Sequence, residues 1–178
     1  MKKGETAVKQ ILYIGLLIGL VPVQATVLQY LSFGGVRPDL CLIAAFLVGF
    51  LAGEFDGVMV GLALGFVQDL FSGGDSGLNF MTKGLIGLLA GLAGRHLANT
   101  TNLAVLALLL SASLVSGLVF VLWSWSGEGL SDALTFVQSV LLPQALYDAA
   151  LGAGIYWVIA GRRGEHRDFE EGRVFLGR

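Results

Sequence analysis

Three ionisable residues lie within or at the ends of long apolar stretches. Asp69 ends one apolar run, Lys83 begins the next, and Asp148 lies inside the last. A charge inside hydrocarbon costs several kcal/mol, so such residues usually pair, face a cavity or serve function. For Asp69 and Lys83 two readings stay open. They pair at the outer ends of adjacent antiparallel helices, or Lys83 extends to the lipid headgroups while Asp69 meets water.

The position of Asp148 depends on Pro143. If the last apolar segment is one continuous helix, Asp148 precedes Arg162 by 14 residues, and the helical rise places it roughly 20 Å from that edge of the membrane. At this depth it should be protonated, paired, or turned toward a partner or a cavity. The alternative is that Pro143 starts a new helix after a re-entrant segment, which would place Asp148 nearer the surface.

Catalytic motifs are absent from the sequence. No serine stands in a recognisable pattern with a histidine and an acid, and GxSxG, HExxH and Walker motifs do not occur. The only cysteine is Cys41 and the only histidines are His96 and His166, too few for a usual structural zinc site or an internal disulfide. We therefore expect a protein that is not an enzyme and that carries no metal and no cofactor.

Composition indicates the class of protein. Hydrophobic residues make up 55% and charged residues 13%, against roughly 25% charged in soluble domains, and the mean hydropathy is +0.77. The net charge is -2, with no basic cluster, which argues against nucleic acid as a partner. We expect an all-α, polytopic membrane protein whose surroundings are membrane lipids.

The apolar runs divide into about six transmembrane helices of roughly 20 residues. They form a single domain over residues 1–161, followed by a charged tail at 162–178. The first run is longer than the about 7 to 15 residues of a signal-peptide centre, so we interpret it as an uncleaved span. Within it, Gln24 and Gln29 face either a partner helix or the headgroups. The predicted spans are 11–31, 40–53, 57–71, 78–94, 103–125 and 134–160.

Lysine and arginine are distributed unevenly between the two sides of this arrangement. Both ends of the chain are rich in them and Arg95 joins that side, whereas only Arg37 and Lys83 fall on the other. The positive-inside rule then places both termini in the cytoplasm. We expect a multi-pass protein of the bacterial inner membrane.

Glycine recurs at every fourth position in two parts of the chain. Four residues are close to one helical turn, so each series forms a ridge without side chains along which another helix can approach closely. The expected roles are helix packing or partner binding. The glycines concerned are Gly49, Gly53, Gly57, Gly61, Gly65, Gly87 and Gly91.

Polar residues cluster near the ends of the same helices. Asp39 follows Pro38 at a predicted helix start, where the helix dipole favours a negative charge. Glu54 and Asp56 are interpreted as the tight turn after the second span. The candidate polar or cavity residues within the membrane are Arg37, Asp39, Gln68, Asp69, Asn79, Lys83 and Asp148.

The sequence from Arg37 to Lys83 resembles a known family. Its RPDL start, its glycine ladder, QDL, the SGGDSGLN loop, and Tyr147-Asp148 in the last span are similar to the rod shape-determining protein MreD family. The resemblance implies a non-enzymatic inner-membrane scaffold of the bacterial cell-elongation machinery, which helps organise peptidoglycan synthesis and rod cell shape. It implies binding to MreC and, indirectly, to MreB, a RodA-type glycosyltransferase and a penicillin-binding transpeptidase.

The membrane fold implied by this resemblance is similar to that of the S components of energy-coupling-factor transporters. The alternative function is therefore an S-component-like, solute-binding subunit of a membrane transporter. Two observations weigh against it. Gly15 and Gly19 stand in the first span in place of an AxxxA pattern, and no assembled set of polar residues for a solute pocket is visible in the sequence.

Overall fold

The computed structural model describes residues 40–72, 77–96, 101–124 and 134–175, together with 13, 15, 19, 20, 22–24, 26, 32 and 35–39. Most of the predicted first span, including Gln29, and residues 73–76 of the SGGDSGLN loop lie outside this set. Apart from a β-bridge at Val36, the regular structure of the described residues is helical. The all-α class predicted from the sequence is confirmed.

Besides helical residues among 13–26 and at 134–136, the described residues form five α-helices and one π-helix. They are α1 (Leu40–Ala52), α2 (Glu54–Ser72), α3 (Leu78–His96), α4 (Asn102–Ser124), a π-helix (Val137–Leu141) and α5 (Leu142–Phe175).

The break between α1 and α2 is a single glycine. Gly53 has a φ of 109° and open space where a Cβ would lie, so it serves the turn and not the helix packing expected of it. Glu54 and Asp56 are not in the turn either. They lie in the first turn of α2, where the helix dipole favours acidic side chains.

The last helix passes through Pro143 without a break. Proline has no amide hydrogen, and its ring would meet the carbonyl of residue 139 in a regular α-helix. The chain forms a π-turn immediately before it, in which the amide of Leu142 donates to the carbonyl of Val137. The wider turn changes the hydrogen-bond register ahead of the proline. The re-entrant alternative is therefore wrong, and α5 runs on as far as Phe175.

The helices form two halves. The glycine-packed half contains α1, α2 and α3, and the contact between α2 and α3 is the most extensive of the fold. The side-chain-packed half contains α4, the π-helix and α5. A buried apolar core joins them, to which α1, α3, α4 and α5 contribute Leu42, Ile43, Phe46, Leu47, Ile86, Ala90, Val105, Leu109 and Ala149.

Glycines bring the backbones of the first half into direct contact. A Cβ at Gly61 would fall on the carbonyl of Lys83, and one at Gly65 would fall on the carbonyl of Asn79. Such overlaps with backbone cannot be relieved by turning a side chain. The other glycines with this environment are Gly49 and Gly57 against Gly87, Gly91 against Glu54, and Gly94 against Phe50.

Large apolar side chains cover the outside of the helices. Phe55, Phe66 and Leu70 on α2 and Met81 on α3 are all more than half exposed, as expected of surfaces that face lipid. Among the described residues, one helix, Asn102–Trp123, is long and apolar enough to cross a membrane by length and composition, and Leu40–Ala52 is apolar but shorter. The number of spans remains a prediction.

Candidate functional site

A buried ion pair lies at the centre of the site. Lys83 on α3 is completely inaccessible, and its Nζ lies 2.9 Å from Oδ2 of Asp39, whose side chain is 12% exposed. Nζ also donates to Oδ1 of Asn79 at 2.7 Å. Lys83 thus pairs with the acidic residue at the start of α1, and the reading in which it reaches the headgroups is wrong.

Asp69 and Lys83 are linked through Asn79 and do not pair directly. The amide group of Asn79 donates to Oδ1 of Asp69 at 2.9 Å, while its oxygen accepts from Lys83. The Asp69 carboxylate also accepts from the backbone amides of Gly77, Asn79 and Phe80 at 2.9–3.1 Å. Asp69 therefore caps the start of α3 from the end of α2, where the helix dipole stabilises its charge.

Asp148 ties the two halves of the fold together. It is fully buried on α5. Its Oδ1 accepts from the backbone amide of Asp39 at 2.7 Å, and its Oδ2 accepts from the hydroxyl of Ser113 on α4 at 2.6 Å. One carboxylate thus fixes the start of α1 against both helices of the other half.

Asp39 makes more hydrogen bonds than expected of a residue at the start of a helix. Its Oδ1 accepts from the amide of Leu42 at 3.1 Å, which is an N-cap, and from the side-chain amide of Gln24 at 3.3 Å. Gln24 in turn accepts from the amide of Cys41 at 3.1 Å. Gln24 thus faces another helix and not the headgroups.

A cavity of about 330 Å³ opens beside this network, between the two halves. Its size falls at the lower end of the about 300–1,000 Å³ usual for small-molecule sites. Polar groups reach it from all five α-helices or their starts, and the rings of Phe120 and Phe136 also line it. The polar lining residues are Asp39, Gln68, Asn79, Ser113, Ser116 and Gln144. We call this space the inner cavity.

A second cavity of about 530 Å³ adjoins it, and we call this the outer cavity. Asp39, Gln68 and Gln144 line both spaces, so these three side chains form the shared wall. Arg37 lines the outer cavity but not the inner one, and its side chain is exposed. The positive side chain therefore lies outside the wall and the carboxylate of Asp39 lies within it.

The polar groups of this site are suited to binding a molecule and not to reacting with it. Each oxygen of Asp39, Asp69 and Asp148 accepts at least one hydrogen bond or ion pair. Among the residues that the structure describes, no three His, Cys, Asp or Glu side chains are grouped so as to hold a metal ion. The network fixes side chains around a space that a solute could fill.

The structure brings six of the seven candidate polar residues to this network or its inner cavity, and leaves Arg37 at the outer cavity. Sequence reasoning did not assign Ser113, Ser116, Gln144 and Gln24 to the site. A signal existed for the two serines, which are among the few polar positions of a long apolar helix. Nothing in the sequence indicated that they face Asp148 and the cavity.

Comparison with known proteins gives one family. The family described as "ECF transporter, substrate-specific component" matches residues 9–160. No curated protein and no solved structure matches the chain significantly.

This match overturns the resemblance to the MreD family. The scaffold function in the cell-elongation machinery was wrong, and so were MreC, MreB, the RodA-type glycosyltransferase and the transpeptidase as partners. Glycine ladders and glycine-rich turns serve close packing in many membrane helix bundles, so they do not specify a scaffold.

Both objections to a transporter component also fail on physical grounds. The polar residues of the pocket come from five helices and converge only in the folded chain. Gly15 and Gly19 are exposed with open space around them, and paired glycines permit the same close helix approach as paired alanines. The chain belongs to the family of substrate-specific components of ECF transporters, which are integral membrane proteins.

Proposed function

We propose that this protein is the solute-binding subunit of a membrane transporter and that the inner cavity is its solute site. The observation that carries the proposal is a space of about 330 Å³ that is lined by residues of both halves of the fold, several of them fixed polar groups. A solute held there would contact α1 to α5 at once. Binding, and not chemical conversion, is the function that these groups support.

The topology supports entry from outside the cell. The excess of Lys and Arg at both ends favours cytoplasmic termini in the inner membrane, with about six spans. Arg37, Asp39 and the α2–α3 connection then lie toward the outer side, together with the outer cavity. A solute would pass Arg37 and reach the wall formed by Asp39, Gln68 and Gln144.

Transport requires an energy source that this chain lacks, since no nucleotide-binding motif is present. We propose as partners a coupling membrane subunit and a pair of ATPases. The exposed Gly15 and Gly19, four residues apart, offer a surface on which a partner helix could lie closely.

A thermal-stability screen of the purified protein against a panel of small polar metabolites tests the solute site. A ligand present at 100 times its Kd stabilises the folded state by about 2.7 kcal/mol. The matched control is Gln144→Leu, which removes an amide from the wall at nearly constant volume. A ligand that stabilises the wild type and not this variant supports the proposal. If every ligand found stabilised the wild type and the Gln144→Leu variant equally, the proposed solute site would be contradicted.

A further inference from the structure

We propose that the inner cavity selects solutes bearing a positive charge over solutes bearing a negative one. This inference rests on the proposed function, because it assigns the class of solute to that same site. It is carried by the placement of the charged, hydroxyl and aromatic groups around the cavity.

Among the residues that the structure describes, Asp39 is the only charged side chain that lines the inner cavity. Its partner Lys83 does not line it, is completely buried, and is engaged by Asp39 and Asn79. The pair therefore presents its carboxylate toward the cavity with its ammonium behind. A solute in the cavity meets the negative end of this dipole.

Two more carboxylates lie directly behind the lining. Ser113 touches Asp148, and Asn79 touches Asp69. With Asp39 and Lys83 the formal charge of the network is three negative against one positive, or -2. In surroundings of low polarity such charges act more strongly than in water, so an anion in the cavity would be repelled.

Of the two serine hydroxyls that line the cavity, that of Ser113 is oriented by the same network. Ser113 donates its hydrogen to Asp148, which leaves only lone pairs of its oxygen for a solute. It therefore accepts hydrogen bonds, as a cationic amine or amidine group requires. A carboxylate or phosphate would find no donor in it.

The aromatic lining of the cavity favours the same sign of charge. Phe120 and Phe136 line it, and the faces of aromatic rings attract cations by about 0.5–2 kcal/mol, depending on desolvation. A cation in the cavity would therefore be favoured by these rings as well as by Asp39. Among the residues that the structure describes, the basic side chain that lines a neighbouring space, Arg37, belongs to the outer cavity.

Cysteine accessibility tests this selectivity without knowledge of the natural solute. Ser116→Cys places a thiol in the inner cavity, and Val140→Cys places one in the outer cavity, each in a Cys41→Ala background. The probes are two methanethiosulfonate reagents of similar size, one with a trimethylammonium group and one with a sulfonate group. Each rate is divided by the rate of that reagent with a free thiol.

We expect the cation-to-anion rate ratio at position 116 to exceed that at position 140 by at least about tenfold, a difference of about 1.4 kcal/mol. In the double variant Asp39→Asn with Lys83→Met, which removes the pair as a unit, the ratio at position 116 should fall while both reagents still react.

The remaining outcomes separate this inference from the proposed function. Reaction at position 116 with no preference, or with a preference for the anion, overturns the charge selectivity and leaves a reachable cavity. An unchanged ratio in the double variant overturns the role of Asp39. If neither reagent reaches position 116, both the selectivity and the solute site are wrong.

Discussion

The two halves of the molecule are packed in different ways. In the glycine-packed half, a methyl group added at Gly61 or Gly65 would meet the backbone of α3. In the side-chain-packed half, a methyl group at Gly117 or Gly152 would meet the end of a leucine side chain, Leu141 or Leu109. At these backbone contacts the first half cannot adjust by turning a side chain, whereas the second half can adjust at Gly117 and Gly152 by changing rotamers.

This difference suggests how a solute site can be both precise and adaptable. The rigid half holds Asp39, Asn79 and Lys83 in fixed positions, since their helices touch backbone to backbone. The other half supplies Asp148, which accepts from the backbone amide of Asp39 at 2.7 Å across the boundary and is held within its own half by Ser113 at 2.6 Å. The cavity lies where the rigid and the adaptable parts meet.

The largest effect is expected from Lys83→Met. This change leaves Asp39 without its cation inside the rigid half, and breaking a buried pair in this way costs about 3–5 kcal/mol. The free energy of unfolding in mixed detergent micelles measures it. The control is Lys83→Met combined with Asp39→Asn, which should recover much of the loss. A single variant as stable as the wild type would show that the pair does not hold the half together.

Gly61→Ala should cost about 3 kcal/mol or less, because overpacking of a close contact typically costs about 1–3 kcal/mol. The added methyl group would lie on the carbonyl of Lys83 and force α2 away from α3. Gly154→Ala is the matched control, since nothing lies within 4 Å of that position. The two variants are compared by their melting temperatures. Equal melting temperatures would contradict the rigid contact between these helices.

Ser113→Ala tests the hydrogen bond that holds Asp148, the residue that links the two halves. It removes the donor to Oδ2 of Asp148 in a buried place, which should cost about 1–3 kcal/mol. Ser111→Ala on the same helix is the control, because Ser111 is exposed and its hydroxyl donates only to the carbonyl of Ala107 in its own helix. Chemical denaturation of both variants should show a loss for position 113 alone. A loss of the same size at both positions would argue against a special role for this link.

Gly152→Ala should have the smallest effect, at the low end of the about 1–3 kcal/mol typical of overpacking. The added methyl group meets a methyl of Leu109 at 2.5 Å, and that side chain can move aside. Comparison of its melting temperature with that of Gly61→Ala completes the contrast between the halves. A destabilisation equal to that of Gly61→Ala would remove the distinction on which the comparison rests.

The sequence predicted the helical class because apolar runs and glycine spacing are local features of the chain. It identified Asp39 and Lys83 as separate polar residues, but their pairing joins positions 44 residues apart and depends on how α1 lies against α3. The hydrogen bond between Ser113 and Asp148 could not be predicted either, because these residues also lie far apart in the sequence. The π-turn at Val137–Leu141 was missed because a proline predicts a disturbance and not the form it takes.

The resemblance to the MreD family was misleading because it rested on glycines that serve the close packing of helices. Glycines at spacing four indicate close helices whatever the protein does. The polar lining of the inner cavity comes from residues as distant as Asp39 and Gln144, so no stretch of sequence displays it. Recognition of a solute pocket required the assembled fold.

Affinity purification of the tagged protein from its native membranes in mild detergent, with mass spectrometry of the co-purifying proteins, tests the transporter assignment most directly. We predict recovery of one integral membrane coupling subunit together with a pair of ATPases, in constant ratio to this protein. An unrelated multi-pass protein carrying the same tag controls for detergent artefacts. Purification of the protein free of any ATPase subunit, under mild conditions that preserve other membrane complexes, would contradict the account.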